Sequence, residues 1–352
     1  MTSGILRGAL IGWGNVAVNG HLPGWLSRQD VEIVAVAETN RERQAEVASR
    51  LPKARWYEST EALLAGETLD FVDICTPPAT HAGLIRSALG RGLHVLCEKP
   101  LVCGVDDLGE LARMAEDADR ALFTVHNWHH APTVRFVRDL LRKGTIGEVR
   151  HCGWEVLRTK PAITGDGRGG NWRLDPAMAG GGILVDHGWH AFYILNNWMA
   201  QAPTRVSARL ETRRHTGYPL EDTATVQFEF PRATGEVYLT WAADERRISA
   251  EVLGARGAIH VEDSAVVLRE AGPRGAERRW TFSTALSDGS HHPDWFGGVA
   301  GEFVAGVREK ALRWNNLTEA SLCVTLLAAA QESSRQGGAW LPVGDAPTSV
   351  CS

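Results

Sequence analysis

Cysteine pairs, long apolar runs and blocks of one charge are all missing from this chain, and each absence removes a class of protein. The six cysteines, at 75, 97, 103, 152, 323 and 351, form no Cys-x-x-Cys pair. Their spacing fits neither a zinc site nor a disulfide framework, and it points to a reducing cytoplasm. Cys97 reads as a small buried filler. No apolar stretch reaches the roughly 18 residues that a membrane-spanning helix needs. The opening MTSGILRGALIGWG is interrupted by Arg7 and runs into glycines, so it lacks a signal peptide's layout and reads as a first strand. Net charge is −5 without a polybasic block, which argues against nucleic acid or an anionic membrane as partner. Repeats, long linkers and low-complexity tracts are absent too. What is present is globular: 352 residues, 44% hydrophobic and 22% charged, enough for two domains that each bury a core.

The first third alternates strands with helices. Ile5 to Ile11 is short, apolar and followed by Gly12-Trp13-Gly14-Asn15-Val16-Ala17. In such a loop Gly12 permits the tight turn, Gly14 lets backbone approach a pyrophosphate, and Ala17 lets the next helix pack closely. That helix's free N–H groups suit phosphate. Val31 to Ala37 reads as a second strand ending at Glu38. A carboxylate there accepts hydrogen bonds from ribose hydroxyls and repels a 2′-phosphate, which favours NAD; Arg41 and Arg43 nearby keep NADP open. Strand patterns recur at Leu69–Cys75, Leu93–Cys97 and Ala121–Val125, with helical patterns between them. The alternation predicts a doubly wound parallel sheet, with Gly12, Glu38, Thr76, Pro77, Glu98 and Lys99 at the strands' carboxyl ends, where ligands bind.

Several motifs in order then resemble one family. Thr76-Pro77-Pro78-x-x-His81 is followed by Gly92 to Leu101, which contains Glu98-Lys99-Pro100; Leu140 to Val149 and Gly180 to His190 come next, then Glu302-Phe303 and Leu317 to Gly338. Together they resemble the glucose–fructose oxidoreductase, inositol dehydrogenase and MocA-like family over nearly the whole chain. The resemblance implies α/β architecture: an N-terminal Rossmann domain, residues 1–125, and a C-terminal α+β domain, residues 126–352, built on a large, mostly antiparallel open sheet. It implies nicotinamide-dependent hydride transfer on sugars, polyols or cyclitols, and assembly as a homodimer or homotetramer. One position departs from the family: the arginine often found three residues before Pro132 is His129 here.

The candidate catalytic residues are Lys99, Asp186 and His190. Lysine suits hydrogen bonding to the reacting oxygen, and its charge offsets a developing alkoxide. Imidazole suits proton exchange with a hydroxyl. Asp186 and His190 share one face if their segment is helical, so the aspartate either orients the histidine or binds a neighbouring hydroxyl. The expected cofactor contacts are Gly12, Gly14, Asn15, Val16, Glu38, Thr76, Pro77, His81, Glu98, Lys99 and Trp172. The expected substrate contacts are Lys99, His129, Arg173, Asp186, His187 and His190. His126, His129, His130, His187 and His190 invite a zinc reading, but their spacings match no zinc motif and no metal is expected. The glycine-rich stretch from Lys160 to Gly182 reads as a loop over the pocket. Thirteen tryptophans tilt weakly toward carbohydrate, whose C–H faces stack on indoles.

From Thr204 onward, short alternating runs predict antiparallel strands, and the tail from Val343 to Ser352 reads as poorly ordered. Two other functions share this framework. A tightly held NAD can oxidise a sugar transiently and return the hydride after eliminating a glycosidic bond. A dinucleotide sensor needs no proton-handling residues, so Lys99, Asp186 and His190 count against it.

Overall fold

Six short strands, most of them apolar runs, assemble into one parallel sheet because both of its faces are covered. The structure is a computed structural model and describes residues 4–162, 171–272, 275–289 and 291–344. The strands are β1 (Leu6–Ile11), β2 (Val31–Ala37), β3 (Arg55–Tyr57), β4 (Phe71–Ile74), β5 (His94–Cys97) and β6 (Leu122–Thr124). Their order is β3-β2-β1-β4-β5-β6, so the order reverses between β1 and β4 and opens a crevice at the carboxyl ends. The three-residue β3 gave no sequence pattern, being half exposed throughout.

Helices His81–Leu89 and Val105–Asp117 bury Ile85, Leu89, Leu108 and Leu111 on one face of the sheet. The other face is sealed partly from afar. Helix Pro293–Arg308 packs Phe296, Val299, Phe303 and Val307 with Leu10, Trp25, Phe71 and Phe123. The Phe303 ring centroid lies 5.3 Å from that of Phe71 and 5.7 Å from that of Phe123, both edge-on. Asn316, on helix Trp314–Arg335, then occupies the edge of β6. Its side chain accepts from Thr124 N at 2.8 Å and donates to Thr124 O at 3.0 Å, standing in for a missing strand.

The second sheet contains β7 (Val149–Leu157), β8 (Arg205–Glu211), β9 (Thr223–Glu229), β10 (Thr234–Thr240), β11 (Arg247–Gly254), β12 (Gly257–Glu262), β13 (Ala265–Glu270), β14 (Glu277–Thr281) and β15 (Leu341–Pro342). Its order is β14-β13-β12-β11-β7-β10-β9-β8-β15, and only β7 and β10 run parallel. The alternating sequences bury one face: Cys152, Trp154 and Val156 of β7 lie under helix Trp189–Met199. The opposite face is polar, with Ser249 Oγ donating to Glu155 and Arg247 paired with the same carboxylate at 3.2 Å. Among the described residues no helix is long and apolar enough to cross a membrane. The five cysteines described are free thiols. Residues 163–170 of the glycine-rich stretch and 345–352 of the tail lie outside the described residues.

Candidate active site

One cleft of about 1200 Å³ runs from the parallel sheet's carboxyl edge to the second sheet. At one end lie Gly12, Gly14, Asn15, Val16, Glu38, Thr76 and Pro77, the residues expected around a dinucleotide. Gly12 has φ +92°, and a Cβ there would meet Thr76 Cγ2 at 2.9 Å and the Cys75 backbone at 3.1 Å, so only glycine fits the turn. A Cβ on Gly14 would meet nothing closer than 4.0 Å, leaving the approach that a pyrophosphate needs. Glu38 accepts from Trp13 N at 2.8 Å and Asn40 N at 2.9 Å. These bonds fix its carboxylate at the tip of β2. Arg43 lies 3.9 Å from it, and Arg41 pairs with Glu58 at 2.6 Å. The residues present therefore fit an adenine dinucleotide.

At the centre of the cleft, Glu98 and Lys99 follow β5. Lys99 Nζ donates to Asp186 O at 2.6 Å and approaches Asp186 Oδ1 at 3.3 Å. Arg173 Nη1 donates to the same Oδ1 at 2.7 Å, while its guanidinium lies 4.6 Å from the Trp172 ring centroid. Burial alone would raise the Asp186 carboxyl, but Arg173 and then Lys99 hold it well below the usual carboxylate range. Lys99, Trp172, Arg173, Asp186, His187 and His190 all border the cleft.

His190 and Asp186 are brought together on a continuous helical segment, Leu184–Gly188 leading into Trp189–Met199. Asp186 does not orient the histidine, however. It is committed to Lys99 and Arg173, and His190 Nδ1 instead meets Tyr193 Oη at 2.9 Å. Tyr193 Oη also accepts from Trp128 N at 3.1 Å. The His190 ring stacks on Trp128 at 5.0 Å. Burial, then Lys99 and His187, push His190 well below its ordinary pKa, so it is neutral. Burial takes His187 to about 3.

Two of the expected contacts are not brought to the cleft. His81 does not border the cleft: its Nδ1 lies 2.8 Å from Pro100 O and its Nε2 2.9 Å from Thr76 O. It is a fully buried brace between the two loops that carry Thr76 and Lys99. His129 does not border the cleft either, because its Nε2 is drawn to Glu319 Oε2 at 2.8 Å on helix Trp314–Arg335. His126 Nδ1 is also 2.8 Å from that oxygen. His126, His129 and Glu319 have ligand-type atoms within 4.8 Å of one another, as do His21, Asp73 and Cys75.

The sequence reading missed the second group altogether. His21 Nδ1 lies 2.9 Å from Asp73 Oδ2, and its Nε2 lies 3.0 Å from Glu98 Oε1. Trp25 Nε1 donates to Asp73 Oδ2 at 2.7 Å, and Phe296 stacks on the imidazole at 4.0 Å. Carboxylates only accept, so both ring nitrogens carry protons. Burial opposes that charge, but Asp73 outweighs it and raises His21 well above its ordinary pKa. The signal available in sequence was a histidine four residues after Ala17, one helical turn into the phosphate-binding helix. Arg158, Trp241, Arg246, His291 and His292 of the far wall were missed as well, because they come from strand ends and loops far apart in sequence.

Comparison with known proteins agrees with this geometry. Residues 6–126 match the Gfo/Idh/MocA model described as an oxidoreductase family with an NAD-binding Rossmann fold, and residues 134–260 match a Gfo/Idh/MocA C-terminal domain. D-glucoside 3-dehydrogenase of Escherichia coli K12 is 31% identical over 212 residues, 55% of this chain and 55% of that protein. The match thus spans about half that relative's length. A D-xylose 1-dehydrogenase (NADP(+)) of Haloferax volcanii is 28% identical over 297 residues, 80% of this chain and 89% of that one. The crystal structure of an oxidoreductase from Agrobacterium radiobacter shares the fold with a TM-score of 0.84 at 22% identity, covering 97% of this chain and 99% of the other. With both domain models matched in order across the two sheets, the chain belongs to the Gfo/Idh/MocA family of oxidoreductases, and its N-terminal domain is that family's NAD(P)-binding Rossmann domain.

Proposed function

We propose that the protein transfers hydride between NAD(P) and a hydroxyl-bearing carbon of a sugar or sugar derivative. The observation that carries this reading is the meeting of Lys99, at the cofactor edge, with Asp186 and His190 in one cleft. Bound dinucleotide supplies the hydride acceptor or donor. Two of the Lys99 ammonium protons go to Asp186, and the third is free for the substrate oxygen. There its charge stabilises the developing alkoxide. With its Nδ1–H donating to Tyr193 Oη, neutral His190 has an unprotonated Nε2 to take the hydroxyl proton. Asp186 keeps Lys99 in place and offsets its charge. The fixed Glu38 carboxylate supports NAD over NADP, since a 2′-phosphate would face a negative charge. The uncovered polar face of the second sheet supports assembly with further copies of the chain.

The test is reduction of NAD and NADP, followed by absorbance, across sugars, sugar acids, aminosugars and inositols. Turnover on some member is expected. Lys99→Ala is expected to lower kcat by roughly 10²–10⁴ with dinucleotide affinity within about threefold. Bound dinucleotide with no turnover anywhere sinks the reading, and aglycone release without net NADH replaces it with the transient-oxidation hydrolase.

A further inference from the structure

We infer that the substrate is anionic: a sugar bearing a carboxylate or phosphate that Arg158 receives at the far wall of the cleft. This rests on the dehydrogenase reading and deepens it. The wall contributed by the second domain carries Arg158, Lys160, Arg173 and Arg246, and Lys99 faces them. Among the described residues, one carboxylate lines that end, Asp186, and it is already shared by Arg173 and Lys99. Glu38 and Glu42 lie at the opposite end, and Glu98 is bound to His21. Among the described residues, cations therefore exceed anions where substrate has to sit.

Arg158 is the most informative of them. It is 5% exposed, yet no carboxylate lies within ion-pair distance of it among the described residues. Asp186 and Asp263 act on it only from farther away, and Arg246 repels it. Burial and then Arg246 pull its pKa down to about 10. A buried guanidinium with no counter-charge among the described residues is costly, and a bound anion offsets that cost. Its Nη1 donates to Leu157 O at 2.9 Å and reaches Arg247 O at 3.5 Å. Those bonds lock the side chain. Nε and Nη2 make no hydrogen bond among the described residues. These two atoms form the side-on edge of the guanidinium that grips a carboxylate or phosphate through two parallel bonds. Arg246 adds a second cation at the rim, exposed and anchored among the described residues to the carbonyls of Ser287 and Gly289. The dinucleotide does not supply the missing charge, because its pyrophosphate belongs at the helix start after Gly14, at the other end.

The test compares kcat/KM, with saturating dinucleotide, for glucose, galactose and mannose against their uronates and their 6-phosphates. At least one anionic member is expected to exceed its neutral parent by about 10–100-fold, the worth of a charged hydrogen-bonded pair. The uronate and phosphate arms separate the two sources of charge. In Arg158→Gln the anion-to-neutral ratio is expected to collapse toward one. Because Arg158 also ties Leu157 to Arg247, the exposed Arg246→Gln is measured beside it and is expected to lower the ratio by several-fold. Neutral sugars used as well as every anionic partner overturn the inference and leave the dehydrogenase standing. If nothing turns over, the dehydrogenase reading has failed, and the inference is judged by binding. Glucuronate or glucose 6-phosphate should raise the melting temperature of the NAD-loaded wild type but not of Arg158→Gln; no shift with either overturns it.

Discussion

His21 and His190 are both buried histidines on the walls of one cleft, and one is charged while the other is neutral. His21 lies between the carboxylates of Asp73 and Glu98 and is an imidazolium. His190 lies beside a tyrosine hydroxyl, with Lys99 and His187 as its charged or polar neighbours, and is neutral. Desolvation lowers both equally in kind; the partner decides which way the balance falls. The same side chain is thereby a buried cation beside Asp73 and Glu98 and a neutral imidazole beside Tyr193, the form that the proposed proton transfer requires.

Three measurements sharpen or break that contrast. The largest effect is expected from His190→Gln, which keeps a polar side chain but cannot carry the proton: kcat should fall by roughly 10²–10⁴ with dinucleotide affinity unchanged. A variant with near-normal kcat would remove His190 from proton handling. Next is His21→Leu. It leaves Asp73 and Glu98 as two buried carboxylates without their shared cation, and should cost about 3–5 kcal/mol of stability, read by urea unfolding. A loss near zero would mean that His21 is neutral. The smallest effect is in the pH dependence of stability. A lowered pKa means that the unfolded chain binds the proton first as pH falls below about 6.5. His190 therefore contributes stability that is present above that pH and lost below it. His21, with a raised pKa, contributes stability that is present below about 6.5 and lost only as pH climbs through its folded pKa. His190→Gln should flatten the acid limb of a melting-temperature profile between pH 6.5 and 4, while His21→Leu should leave that limb and reduce the decline on the alkaline side. The same change in both variants would show that the two histidines are not distinct.

What could be read in the sequence follows from range. Gly12, Gly14 and Glu38 were legible because each is dictated by its own strand end, and the strands are short apolar runs with turn residues after them. Lys99, Asp186 and His190 were legible through motifs. The partnerships were not. Asp186 was expected either to orient His190, one helical turn away, or to bind a neighbouring hydroxyl; a lysine and an arginine from other segments reach the aspartate instead. His129 was expected in the pocket because it stands where relatives often carry arginine. Glu319, 190 residues later, turns it away. His81 sits in a motif at a strand end, yet two backbone carbonyls close over it. Arg158 had no local signal at all; its isolation exists only once β7 and β11 are paired.

Helix Pro293–Arg308 has a consequence for how the chain comes to be folded. The Rossmann sheet is complete in its strands by Thr124, but the aromatic layer over Trp25, Phe71 and Phe123 arrives with Phe296 and Phe303. The Asn316 side chain that caps β6 lies 192 residues beyond its partner. A ribosome adds roughly 5–20 residues each second, so the first domain waits on the order of ten seconds or more with one greasy face only partly covered. The chain's earliest need during synthesis is therefore for something that shields that face until its own C-terminal helices emerge.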